Sequence, residues 1–114
     1  DGQWSRAKGI DTFCPLGPWI ETELDTSDLR VISRVDGEVR QDGSTADMVH
    51  GIGSLIEVAS AAFTLLPGDV ILTGTPAGVG LVEPGQRVEV EVEGIGVMSN
   101  PFVRAEAPES PDRA

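Results

Sequence analysis

The sequence predicts an α+β domain dominated by strands, with one main helix. Three observations point to it. Arg87 to Glu93 alternates apolar and charged residues without a fault. Only one stretch, 53–65, repeats its apolar residues at helical spacing. Fourteen Gly and eight Pro among 114 residues imply many turns between short elements, which suits a β-rich body better than a helical bundle.

Each element follows from local pattern. Residues 1–28 carry little regular periodicity, and Pro15, Gly17 and Pro18 break the residues from Phe13 to Trp19 too often for a helix or a central strand. They read as an irregular loop tied down by Phe13, Leu16 and Trp19. Leu29, Val31 and Val35 then share one parity, and Asp36-Gly37 supplies the positive-φ turn of a two-residue hairpin leading back through Val39. Ser54 with Glu57 matches a capping box; Leu55, Ile56, Ala59, Ala62 and Phe63 follow it, and Pro67-Gly68 stops the helix. Asp69 to Thr73 is a short apolar run of the kind found in strands buried on both faces. Pro84-Gly85 makes a further turn. Val88, Val90 and Val92 define the inner face of a half-solvated antiparallel strand, which Gly94-Ile95-Gly96 turns toward Val97 and Met98. Residues 105–114 are rich in Pro, Ala and charge and read as a disordered tail, leaving 1–104 as the folded domain.

Composition excludes several functions. Eight Lys plus Arg against nineteen Asp plus Glu give a formal net charge of -11, which argues against a nucleic acid or an anionic membrane as partner. One cysteine allows neither an internal disulfide nor a four-cysteine zinc site. No apolar run approaches the length of a membrane span, so a cytoplasmic protein is the expectation. Five aromatics without Tyr leave the core to Val, Ile, Leu and Ala.

The familiar catalytic motifs fail one by one. Gly51-Ile52-Gly53 opens like a dinucleotide fingerprint, but Ile56 stands where its third glycine belongs. Lys8, the single lysine, follows Ala7 rather than the glycine of a phosphate loop. Cys14 and His50 have no spacing that unites them as a nucleophile and base; Cys14 reads as a small buried hydrophobe and His50 as structural or solvated.

Three features survive. Lys8 leads into the Pro/Gly loop and offers a cation to an anionic substrate or a developing enolate, although a solvated lysine is the simpler reading. Thr73-Gly74-Thr75-Pro76-Ala77-Gly78-Val79-Gly80 ends the apolar run; its glycines allow close backbone approach and its hydroxyls can donate to a carboxylate. A tight turn whose threonines satisfy their own backbone is an equal alternative. Glu89, Glu91 and Glu93 line one strand face and fit a solvated surface better than a cation site, since i and i+2 side chains are roughly 6–7 Å apart.

Taken in order, these segments resemble the fumarylacetoacetate hydrolase family. The resemblance begins with Gln3-Trp4 and Lys8-Gly9-Ile10-Asp11-Thr12-Phe13-Cys14-Pro15-Leu16-Gly17-Pro18. It continues through Asp36-Gly37-Glu38, Gln41, Gly43, Thr45 and Met48, then Leu66 to Gly80, Gly94-Ile95-Gly96 and Asn100. Each fragment is weak alone; their order and spacing are specific.

The resemblance implies a β-roll or sandwich built from mixed sheets, commonly assembled as a homodimer. It implies hydrolysis, isomerisation or decarboxylation of small 2-oxo (keto-enol) diacids, such as acylpyruvates or aromatic-ring catabolites, through a metal-stabilised enolate. Mg2+, or Mn2+ or Ca2+ in its place, would hold the 2-oxo acid. Lys8 would be catalytic and contact this small anionic substrate near the metal. Thr12 would belong to the metal's environment, and Gly74 and Thr75 would bind the substrate carboxylate.

The family's metal-binding glutamates and aspartate lie upstream of the glutamine–tryptophan segment, as do its water-activating histidine and glutamate. The chain therefore resembles the C-terminal part of a catalytic domain, and an incomplete fold, inactive by itself, is expected. The alternative is a noncatalytic remnant or interaction module without metal binding. Either way, uncovered apolar strand faces are expected to promote self-association, tempered by the negative charge.

Overall fold

Asp36 and Gly37 reverse the chain with φ of 49° and 82°, the left-handed pair that matches the twist of a two-residue hairpin. The structure, a computed structural model, describes residues 2–105. In chain order the elements are α1 (Trp4–Lys8), β1 (Arg30–Val35), β2 (Glu38–Ser44), α2 (Ile52–Ala62), β3 (Arg87–Val92) and β4 (Gly96–Pro101), with a 3-10 turn at Thr45–Asp47. The strands form one antiparallel sheet in the order β2-β1-β3-β4.

Register follows the sequence pattern. Val31, Ser33 and Val35 lie opposite Val92, Val90 and Val88, so the two apolar parities share a face. The other face carries charged residues around the buried Ile32, with Arg34 and Glu91 paired at 2.7 Å. The Glu93 carboxylate accepts from the Arg30 N–H at 3.1 Å. Arg40 is an extra residue in β2, because Ser33 pairs with Gln41 and Arg34 with Val39. Among the described residues the three buried apolar ones, Leu29, Ile32 and Val35, all belong to β1 and its entry.

Both sheet edges are lined by irregular chain. A Cβ on Gly96 of β4 would lie 3.0 Å from the Trp19 ring, and the β2 edge receives the Thr73–Gly80 loop.

Four expectations are corrected. The residues from Phe13 to Trp19 have no regular structure, as expected, but the stretch of little periodicity before them includes a short helix, α1, in which Lys8 Nζ lies 4.7 Å from the Trp4 ring centre one turn away. Phe13, Leu16 and Trp19 do not bury themselves and are 54%, 68% and 58% exposed; Cys14 is exposed as well. Helix α2 begins after Gly51 with no side-chain cap, so Ser54 and Glu57 fall inside it rather than at its boundary. The half-buried stripe is Ile52, Leu55 and Ala59, while Ile56 and Phe63 face outward. Asp69 to Thr73 joins no ladder, and Val70 and Leu72 are exposed. An apolar run becomes a strand only where a neighbour satisfies its backbone; all four strands of the sheet pair with one another instead.

The tail expected over 105–114 lies, from residue 106 onward, outside the described residues. Among the described residues no helix is long and apolar enough to cross a membrane.

Candidate active-site loop

The Thr73–Gly80 loop is held against β2 by two close backbone approaches. Gly78, at φ 104°, packs on the Arg40 carbonyl so closely that a Cβ would overlap it, and a Cβ on Gly43 would come within 2.9 Å of Pro76. Only glycine permits both contacts.

The Gln41 side chain completes the attachment. Its Nε2 donates to Thr75 Oγ1 at 2.8 Å and to the Pro76 carbonyl at 2.8 Å. Its Oε1 accepts from the Ser33 hydroxyl at 2.9 Å. Ser33 and Gln41 are ladder partners, so a polar pair interrupts the apolar face and reaches across to the loop. Thr75 is therefore fixed from the sheet, although the loop has no regular structure.

Thr73 to Pro76 border a cleft of about 640 Å³, whose apolar wall includes Leu29, Val31, Met48, Ile52, Leu55 and Ile95. Gly74 adopts φ 107°, with open space where a Cβ would sit. Among the described residues no acceptor takes the N–H of Gly74 or Thr75. Two N–H groups and one hydroxyl thus belong to residues at the edge of a cleft whose lining is largely apolar but also includes Glu21 and Asp47, a donor set suited to a carboxylate or a developing oxyanion. His50 lines the same cleft; in the sequence a lone histidine before a glycine gave no sign of this. Gln41 was not among the site candidates either, although it belongs to the ordered set of motif residues and is a polar side chain at an inward-facing strand position.

Lys8 and Thr12 do not line this cleft. Lys8 ends α1 with its ammonium over Trp4. Thr12 follows on an exposed turn with φ 69°, a left-handed conformation costly for a β-branched residue. Of the sequence-derived candidates, Gly74 and Thr75 come together in the cleft, whereas Lys8 and Thr12 share the segment at the start of the chain.

The described residues do not themselves fit a divalent cation, since no three His, Cys, Asp or Glu side chains among them group to hold one. Glu89 and Glu91 point from the charged sheet face, Glu91 toward Arg34. The displaced acid titrations also lie away from the loop. Hydrogen bonds from the Arg30 guanidinium hold Asp42 below the usual aspartate value, and the Ser27 N–H does the same for Asp25.

Residues 1–103 match the family model for the fumarylacetoacetate (FAA) hydrolase C-terminal region. The chain is 56% identical over 111 residues to Protein Rv2993c of Mycobacterium tuberculosis, covering 95% of this chain but 42% of that relative's length. The structure of 5-carboxymethyl-2-hydroxymuconate delta-isomerase from Mycobacterium smegmatis matches with TM-score 0.89 and 61% identity, over 92% of this chain and 42% of that one. A maleylpyruvate hydrolase from Sphingobium sp. SYK-6, in complex with manganese(II) ion and pyruvate, matches with TM-score 0.81 and 42% identity, over 84% and 38% of the respective chains. The fold and the family reading thus stand together: this chain, less than half the length of these relatives, belongs to the fumarylacetoacetate hydrolase family.

Proposed function

We propose that the chain forms the substrate-carboxylate side of an active site that hydrolyses, isomerises or decarboxylates small 2-oxo (keto-enol) diacids, such as acylpyruvates or aromatic-ring catabolites. The supporting observation is the Thr75 loop, locked to β2 by Gln41 with two unengaged N–H groups and a hydroxyl at the rim of an apolar cleft. A diacid suits that surface: its carboxylate meets fixed donors while its carbon chain lies against Leu, Val and Ile. Fixed donors need no reorganisation as charge develops, which is where such sites gain most.

In this reading Thr75 and the N–H of Gly74 bind the carboxylate, and Lys8 supplies the positive charge that stabilises the developing enolate. Thr12 belongs to the surroundings of a divalent cation, Mg2+ or its Mn2+ or Ca2+ substitutes, whose carboxylate ligands lie outside the described residues. The structure with manganese(II) and pyruvate motivates the cation and the 2-oxo acid alike. A cytoplasmic homodimer completes the proposal.

The test is a spectrophotometric assay of maleylpyruvate consumption with Mn2+ present, on the full-length protein carrying this stretch. Lys8→Ala and Thr75→Val are each expected to lower kcat/KM by about a hundredfold, as for loss of a donor to developing charge. Unchanged turnover in both variants would refute the assignment. A second reading, a noncatalytic interaction module, is favoured by the exposed Trp4, Trp19 and Phe63; it predicts no turnover of any 2-oxo acid.

A further inference from the structure

We infer that Gln41 is a positioning residue that sets the direction in which the Thr75 hydroxyl donates. The inference rests on the carboxylate-binding reading of Thr75 above. Hydrogen-bond chemistry fixes the orientation of the Gln41 amide. The Pro76 carbonyl can only accept, so the atom 2.8 Å from it must be the Gln41 nitrogen. The Gln41 oxygen then faces Ser33, whose hydroxyl supplies the proton at 2.9 Å.

An amide nitrogen carries two protons. One goes to Pro76 and the other to Thr75 Oγ1 at 2.8 Å. Thr75 Oγ1 therefore acts toward Gln41 as an acceptor, and its own proton is left to point elsewhere. Gly74 and Thr75 border the cleft, so the direction left open includes the cleft where a carboxylate would sit. A glutamine here makes the hydroxyl a donor toward ligand; a residue able only to accept at this position would draw that proton inward.

The arrangement is anchored in the sheet. Ser33 sits on β1 and Gln41 on β2, directly paired and both part-buried. The Thr75 loop is irregular and exposed, so without this relay the hydroxyl would sample all its rotamers and lose the orientation. The cost of ordering it is met when the sheet forms rather than when ligand binds.

Pyruvate binding to the full-length protein carrying this stretch, with Mg2+ present, tests this, followed through saturation transfer to the pyruvate methyl protons, with circular dichroism reporting the fold. The unsubstituted protein is expected to bind pyruvate with a millimolar Kd. Thr75→Val should weaken binding about tenfold, as for a lost hydrogen bond to a charged group, and Thr75→Ser should restore it. Gln41→Met, similar in length but without donors, should weaken binding about fivefold. Gln41→Glu should weaken it at least as much, and the loss should persist in about 0.5 M salt, where charge repulsion over more than a few ångströms is screened. Ser33→Ala, which releases the amide while retaining its donors, should cost about twofold and serves if Gln41→Met loses its fold.

If Thr75→Val weakens binding while both Gln41 variants stay within twofold of the original affinity, the inference falls and the carboxylate reading stands. If Thr75→Val binds as well as the unsubstituted protein, or that protein does not bind pyruvate at all, the reading itself fails and takes the inference with it.

Discussion

Gly78 rests directly on the carbonyl of Arg40, the extra residue that the bulge inserts into β2. The loop carrying Thr75 settles against that carbonyl where a side chain could not fit. Gly78→Ala faces two obstacles at once, a φ of 104° and a clash with backbone that cannot swing aside. It is expected to destabilise the chain by about 2–3 kcal/mol, read as a lower urea midpoint, and to weaken any ligand contact made by Thr75.

Gly37 offers the contrasting case. It has φ 82° in the hairpin turn, but open space where a Cβ would go. Only the conformational term applies, so Gly37→Ala should cost about 1–2 kcal/mol and Gly37→Asn clearly less. Equal losses for the two substitutions in urea unfolding would contradict the assignment of a left-handed turn.

Acid should weaken the fold through Asp42. The Arg30 guanidinium donates to it twice, at 2.8 and 2.6 Å, and lowers its pKa from the ordinary 3.8. Asp25 is lowered as well, by the Ser27 N–H. Groups whose folded pKa is depressed bind protons more readily when unfolded. Their contribution is complete well above 3.8 and is lost as pH falls through that value toward the lower folded pKa. Asp42→Asn should flatten the pH dependence of the urea midpoint in this acid window and leave it unchanged near neutrality apart from a constant offset. Both side chains are largely exposed, so the effect is small and shrinks further with salt.

Apolar surface predicts association. Trp4, Phe63, Leu66 and Leu72 are 68%, 72%, 63% and 71% exposed, and α2 buries no residue fully. Patches of this kind drive contact between copies, while a charge of -11 opposes it. Sedimentation velocity should therefore show species larger than the monomer, increasing with protein concentration and with salt. A monomer throughout, unfolding in one sharp thermal transition, would contradict this.

How much was legible in the sequence depended on whether a signal was local. The alternation of Arg87 to Glu93 needs no knowledge of the partner strand, and the Asp36-Gly37 turn states its own geometry; both are present as read. Ser54 and Glu57 carry a cap motif, yet the helix starts two residues earlier, where the chain leaving Gly51 is already free to turn. Asp69 to Thr73 shows the limit of composition: β-branched residues describe a strand that could pair, and pairing depends on a neighbour elsewhere in the fold. Lys8, Thr12, Gly74 and Thr75 became candidates because an ordered set of motifs surrounds them, and of these the structure brings Gly74 and Thr75 to the cleft. Gln41 belongs to the same set, but its contact with the loop was not legible, because it arises beside a bulge that brings it to a residue thirty-four positions away.

The central claim is that Thr75 grips a 2-oxo acid, and a crystal structure of the chain with pyruvate tests it most directly. The pyruvate carboxylate is expected within hydrogen-bond reach of Thr75 Oγ1, about 2.7–3.0 Å, with the Gly74 N–H alongside and the methyl group against the apolar wall. Pyruvate seated away from the Thr73–Pro76 rim, with Thr75 still tied to Gln41 and touching no ligand, would contradict it.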